Sequence, residues 1–257
     1  MAATGLSRVI AEAGEGGPLY TPAETSQQPT LSAAMLCYIT DRRQFPGSPA
    51  DRESRLLDKI GECAAAGADL VELREKDLCS RDLLALAQKA VVRLPAGSAT
   101  RLLINSRTDV ALACGAHGVH LPAGDLAASE VRAIWDRAGR THAIIGVSAH
   151  TPEEVALAEA HGADFVVFAP VFEKDGRANA PGLVMLRTVC DRPRSAAAFM
   201  PVLALGGITL ENAATCFAAG ASGVAGIRLF QQNSLEKVVK HLRAAFREAA
   251  ARASSRF

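Results

Sequence analysis

Charge of one sign is what this chain most lacks. Its 28 Lys and Arg stand against 27 Asp and Glu, a formal +1 over 257 residues. No basic excess draws it to nucleic acid or to a membrane surface, so any anion it binds must be held locally. No run of about 18 apolar residues is present, and nothing in the sequence is built to span a bilayer. Met1 to Gly17 lacks the charged start and continuous apolar stretch of a signal peptide. C-x-x-C pairs are missing too: Cys37, Cys63, Cys79, Cys114, Cys190 and Cys216 stand apart. They read as reduced core thiols, and the expected compartment is the cytoplasm. What remains is 49% hydrophobic and 21% charged, enough to bury the core of one large α/β domain or two small ones.

The stretch from Arg101 to Leu126 organises the rest. Leu102-Leu103-Ile104 is an apolar run ending on Asn105. A short helical segment follows from Thr108 to Cys114, then Gly115-Ala116, then a second apolar run, Gly118-Val119-His120-Leu121. Two apolar strands joined by a short helix predict parallel neighbours in a buried sheet. Polar groups gather where the strands end, at Asn105, Ser106 and Arg107, and again at His120 and Asp125. The carboxyl ends of parallel strands are where α/β folds keep their chemistry.

One phrase recurs on either side of this stretch. Gly67-Ala68-Asp69, Gly115-Ala116-His117, Gly162-Ala163-Asp164 and Gly220-Ala221-Ser222 each precede an apolar run. A helix closing on a left-handed Gly and feeding a buried strand produces this pattern. Further strands fall between, at Leu36–Thr40, Leu102–Asn105, Ala143–Ser148 and Pro201–Leu205, making eight. Helices are predicted over Ser54–Ala66, Ser80–Leu94, Leu126–Ala138, Pro152–His161 and Ser234–Arg252, with another starting at Thr209. Eight units of near-equal length predict a single (β/α)₈ TIM barrel over residues 34–257. A doubly wound open sheet is the competing architecture. Residues 1–33, rich in Gly, Ala, Pro, Ser, Thr and Gln without periodicity, are expected to be a disordered extension.

Candidate chemistry sits at the strand ends. Gly206-Gly207 ends the seventh strand, and Gly226-Ile227 the eighth; barrels frequently hold a phosphate on the backbone amides of these two loops. Arg74 and Lys76, two apart after the second strand, share one side of an extended segment and can attract a second anion. Asn105 can donate to an anion, and Asp125 can bind a cation or orient a base. Ser148 and His150 place a hydroxyl and an imidazole at the end of the fifth strand, in the mouth, and such a His can shuttle a proton near neutral pH. His120, between Val119 and Leu121, can point into the barrel. Glu173 and Lys174 lie on a loop, Val171 to Pro181, whose Gly, Asn and Pro predict mobility. His117, His142, His161 and His241 read as solvated.

Taken together, Leu73-Arg74-Glu75-Lys76, Ile104-Asn105-x-Arg107, Gly118-Val119-His120-Leu121, Gly146-Val147-Ser148-Ala149-His150, Ala169-Pro170-Val171-Phe172 and Gly206-Gly207-Ile208 resemble the thiamine phosphate synthase and thiazole tautomerase superfamily. The resemblance runs in order from Leu36 towards the C-terminus. It implies a (β/α)₈ barrel acting on a small-molecule thiazole phosphate, with neither nucleic acid nor membrane as partner and with a homo-oligomer allowed. Synthases of the superfamily couple a pyrimidine pyrophosphate to the thiazole phosphate with Mg²⁺. They typically carry Asn-Asp after the third strand, Gly-Gln-Glu-Asp after the fourth and a Thr-rich loop after the sixth. This chain instead reads Asn105-Ser106, Pro122-Ala123-Gly124-Asp125 and Phe172-Glu173-Lys174-Asp175. Those departures resemble the tautomerase branch, which implies a metal-free proton transfer on a carboxythiazole phosphate with His150 as acid/base. On that resemblance the substrate contacts are Arg74, Lys76, Asn105, His120, Ser148 and Glu173, and the phosphate rests on Gly206, Gly207, Gly226 and Ile227. The tautomerase is the favoured expectation. The Mg²⁺-dependent synthase, with Asp125 on the metal, is the alternative, and a non-catalytic barrel binding thiazole or thiamine phosphates is the third.

Overall fold

The computed structural model describes residues 33–172, 180–192 and 199–254. The chain divides into two units, Met1–Leu31 and Ser32–Phe257. The expected N-terminal extension, as far as residue 32, lies outside the described residues. The second unit is a closed barrel of eight parallel strands, paired in sequence order with the eighth returning to the first. The strands are β1 (Met35–Ile39), β2 (Leu70–Leu73), β3 (Arg101–Asn105), β4 (Gly118–Leu121), β5 (Ile144–Ala149), β6 (Phe165–Phe168), β7 (Val202–Ala204) and β8 (Gly223–Gly226). Closure settles the architecture in favour of the barrel over the open sheet.

Alternation along each strand sorts its side chains. Met35, Cys37, Ile39, Leu70, Leu103, Phe165, Val167, Leu203 and Ala225 pack together inside the barrel. Residues such as Leu36, Tyr38, Val71, Leu102 and Ile104 belong to the larger core beneath the helices. Interior space is tight: a methyl added to Gly118 would stand 1.8 Å from the Ile144 carbonyl oxygen, and one on Gly146 would lie 2.2 Å from the Phe165 ring.

The helices are α1 (Pro49–Ala66), α2 (Ser80–Arg93), α3 (Thr108–Cys114), α4 (Ala128–Arg137), α5 (Pro152–Ala160), α6 (Ala180–Cys190), α7 (Ala213–Ala218), α8 (Arg228–Gln231) and α9 (Leu235–Ser254). Helix α1 begins well before the expected Ser54, because Ser48 and Asp51 form a reciprocal capping box with Pro49 at the first position. Helix α7 begins later than Thr209. The Asn212 side chain accepts from the Thr209 amide at 2.8 Å and donates to the Gly207 carbonyl at 2.9 Å, holding the approach as a turn. Helix α6 starts inside the stretch read only as a loop; most of that loop, including Glu173 and Lys174, lies outside the described residues. Among the described residues no helix is long and apolar enough to cross a membrane.

Long-range polar ties hold the frame. Asp69 accepts from the Leu36 amide at 2.7 Å and from Arg243 on α9 at 2.9 Å, fastening the last helix to the first two strands. Tyr38 donates to Gln231 at 2.9 Å, and Gln231 donates to the Asp41 carbonyl at 2.9 Å. The short helix α8 is thereby fixed against β1.

Candidate active site at the carboxyl ends of the strands

At the end of β2, Glu75 is buried and accepts from the Thr40 hydroxyl (2.7 Å), the Arg42 amide (3.1 Å) and the Arg42 guanidinium (2.9 Å). Burial pushes its carboxyl up from the usual range, against the lowering effect of Thr40 and Arg42. Thr40 Oγ in turn accepts from the Arg74 amide at 2.9 Å. A latch between the ends of β1 and β2 therefore sets the backbone of Arg74. Arg42 is spent on this latch, since it also grips Asp77 with both terminal nitrogens, at 2.7 and 2.9 Å. Arg74 and Lys76 are different. No described group forms a hydrogen bond or ion pair with either side chain. Both line a cavity of about 150 Å³ together with Asp41, Arg43, Glu75 and Asp77. Sequence reasoning found Arg74 and Lys76 but missed Arg43 and the latching role of Glu75.

Beneath them the barrel interior holds polar side chains. Glu72, two residues before Arg74, is 1% exposed, and His120 of β4 is 4% exposed. His120 Nδ1 lies 2.6 Å from Glu72 Oε2, and its Nε2 lies 3.2 Å from Ser148 Oγ on β5. The imidazole stacks on Phe165 with ring centroids 6.0 Å apart. The inward aim expected of His120 is observed. Glu72 was not singled out beforehand, although a lone acid in the wholly buried strand Leu-Val-Glu-Leu is a readable signal.

His150 sits on the rim, exposed, two residues beyond Ser148. Its Nδ1 lies 2.7 Å from the Ala169 carbonyl oxygen, and its amide donates to Glu154 at 2.6 Å. A carbonyl can only accept, so Nδ1 carries a proton, and Nε2 is the nitrogen left to exchange one. Asn105 is half-buried at the end of β3, in register with His120. Ser106 follows with φ +61° and donates to Asp125 Oδ2 at 2.6 Å; Oδ1 accepts from the Leu126 amide at 2.8 Å. Asp125 is exposed. His117, expected to be solvated, is half-buried and accepts the Leu102 amide on Nδ1 at 3.1 Å. Burial, with Arg101 and Arg140 nearby, pushes that imidazole down to about 4.

On the far side of the mouth, Gly206 has φ +101° and Gly207 +60°. A Cβ on Gly206 would come within 2.9 Å of Pro170 Cα, so this position needs glycine for both reasons. Among the described residues nothing accepts from the amides of Gly206, Gly207 or Ile208. Gly226 ends β8, and Ile227 caps α8. The structure thus gathers Arg74, Lys76, Asn105, Asp125, Ser148, His150 and both glycine loops at one end of the barrel, with His120 just inside. Glu173 lies outside the described residues.

A family model for thiamine monophosphate synthase matches residues 36–230, the whole run of strands. The chain belongs to this family. Among relatives in the family, a thiamine-phosphate synthase of Methanoculleus marisnigri is 40% identical over 167 residues, 64% of this chain and 74% of that protein. One from Roseiflexus sp. (strain RS-1) is 37% identical over 189 residues, 74% of this chain and 75% of its own length. Among solved structures, thiamine phosphate pyrophosphorylase from Pyrococcus furiosus superposes with a TM-score of 0.66 at 28% identity, covering 84% of this chain and 96% of that one. The superfamily placement expected from the motifs holds. The expectation that ranked the tautomerase first is not supported, because these relatives carry the synthase name.

Proposed function

We propose that the chain is a thiamine-phosphate synthase, joining a pyrimidine carried as its diphosphate to a thiazole phosphate and releasing pyrophosphate. The observation that carries this reading is the family match across the barrel, with synthase-named relatives spanning up to three quarters of the chain. The mouth suits two anionic substrates. Arg74 and Lys76, unpartnered among the described residues, clamp the diphosphate, assisted by Asn105, and the amides of Gly206 and Gly207, with those of Gly226 and Ile227, cradle the thiazole phosphate. The anion holders stand at the ends of β2 and β3 and of β7 and β8, so the reacting carbon and nitrogen meet between them, with Ser148 at the same mouth.

Mg²⁺, when bound, neutralises charge on the departing diphosphate. Asp125 is the residue that would hold it. An exposed carboxylate pre-set by the Ser106 hydroxyl suits a cation that keeps water and takes most of its remaining ligands from substrate phosphates.

One observation favours a second reading, the metal-free tautomerase. The Ala169 carbonyl holds Nδ1 of the exposed His150, which leaves Nε2 as the nitrogen able to act as a base. The deciding experiment incubates purified protein with pyrimidine diphosphate, thiazole phosphate and Mg²⁺, and separately with carboxythiazole phosphate and EDTA. Thiamine phosphate formed only with Mg²⁺ supports the synthase. Isomerisation that survives EDTA without coupling replaces it with the tautomerase, and affinity for either phosphate with no turnover leaves a binding barrel.

A further inference from the structure

Inside the barrel lies a polar chain that the fold itself does not require. Glu72, His120 and Ser148 come from three strands, β2, β4 and β5, and are linked by contacts of 2.6 and 3.2 Å. A buried acid–imidazole pair is a weak stabiliser; replacement of such pairs by apolar residues of similar size is often neutral or stabilising. Phe165 stacks against the imidazole, Asn105 is its register neighbour, and Cys37 is close enough to Glu72 for the carboxylate to add to the burial that pushes its thiol up. Glu72 Oε1 is buried with no hydrogen-bond partner, a further cost. The chain ends on Ser148, which is half-buried at the mouth beside the rim residue His150.

We propose that Glu72 is a positioning residue, which holds the Nδ1 proton of His120 and so aims Nε2 at Ser148, making the three a relay that delivers a proton to the departing diphosphate. A carboxylate on the far nitrogen fixes tautomer and ring orientation and stabilises the imidazolium. The relay rests on the synthase reading, and it balances. The step calls for a proton on each nitrogen of His120, Nδ1–H towards Glu72 and Nε2–H towards Ser148. The bond from the pyrimidine methylene carbon to the diphosphate oxygen breaks, and its electron pair leaves with the oxygen. That oxygen takes the Ser148 hydroxyl proton while Ser148 Oγ takes the Nε2 proton of His120. The thiazole nitrogen forms the new bond to carbon. His120 ends neutral, with Nδ1–H still on Glu72, which remains a carboxylate throughout. His150 belongs to a separate hydrogen-bond system on the rim and takes no part.

The test uses the full chain with ¹⁵N-labelled histidine. Wild type should show a far-downfield His120 Nδ1–H proton resonance, and Glu72→Gln should lose it. In the coupling assay E72Q should lower kcat about 100-fold with KM for both substrates nearly unchanged. The double variant E72Q/H120N should fall no further than H120N alone, because the residues act as a unit. Ser148→Ala, on the half-buried side, should lower kcat similarly while keeping the resonance, so the relay stays testable should E72Q not fold. Wild-type kcat in E72Q or S148A, a loss confined to KM, or additive losses in the double variant would overturn the proposal. A wild-type chain without coupling activity overturns the synthase reading and the delivery to diphosphate; loss of the resonance in E72Q would still uphold the positioning of His120.

Discussion

Removing the Glu75 carboxylate should loosen the barrel and the substrate clamp together. In Glu75→Ala the Thr40 hydroxyl, the Arg42 amide and one Arg42 nitrogen lose their common acceptor in a site where the Glu75 side chain is only 1% exposed. Breaking a buried ion pair by deleting one partner costs about 3–5 kcal/mol. Arg42 keeps both contacts to Asp77, which puts the cost near the lower figure, about 3 kcal/mol. For a domain of this size each kcal/mol moves Tm by about 2–4 °C, so a fall of roughly 6–12 °C is expected. Because Thr40 Oγ receives the Arg74 amide, the same change should raise KM for the diphosphate several-fold while leaving kcat nearly constant. Glu75→Gln separates charge from shape. Burial raises the folded-state Glu75 carboxyl above its unfolded value. Between those two values the folded chain binds the extra proton, so wild-type stability falls as pH rises through that window, a slope E75Q lacks. Its margin over E75Q should be greatest below the window and shrink above it. Urea and thermal unfolding from mildly acidic to neutral pH, with steady-state kinetics, read all three effects. A loss in E75A below about 1 kcal/mol with unchanged KM would refute the latch, since a lone exposed ion pair is worth no more than that.

Asp125→Ala should abolish Mg²⁺-dependent coupling while shifting stability by no more than about 0.5 kcal/mol, as expected of an exposed side chain; calorimetry beside a Mg²⁺ titration of the rate checks both halves. His117, neutral when folded and pushed down to about 4, stabilises the chain fully above its unfolded value. That contribution is lost as pH falls towards 4, because the unfolded chain then binds the extra proton. His117→Asn should flatten this acid limb in urea melts, and an unchanged limb would contradict the burial argument. Gly118→Ala places a methyl 1.8 Å from the Ile144 oxygen, so soluble yield and circular dichroism should report loss of the fold, and a wild-type melting curve would show that the interior can give way.

The sequence by itself determined the barrel. Each strand is a short apolar run, and four of them follow a Gly-terminated helix end. Gly67, Gly115, Gly162 and Gly220 all have positive φ, which is why that phrase could be read without coordinates. Position on the rim was legible for the same reason: residues at or just past a parallel strand's carboxyl end face the mouth, which is where the sequence puts Arg74, Asn105, Ser148, His150, Gly206 and Gly207. Helix starts were less legible where a local side chain overrode the pattern, as Asn212 does before α7. Partnership was decided by tertiary structure alone. Thr40 and Glu75 are 35 residues apart and Glu72 and His120 are 48 apart. Their contacts exist because strand register and barrel closure bring separate strands face to face, and no local propensity encodes that distance. Strand pairing made Glu75 a latch and His117, expected to be solvated, a half-buried acceptor, and the barrel interior made Glu72 the partner of His120.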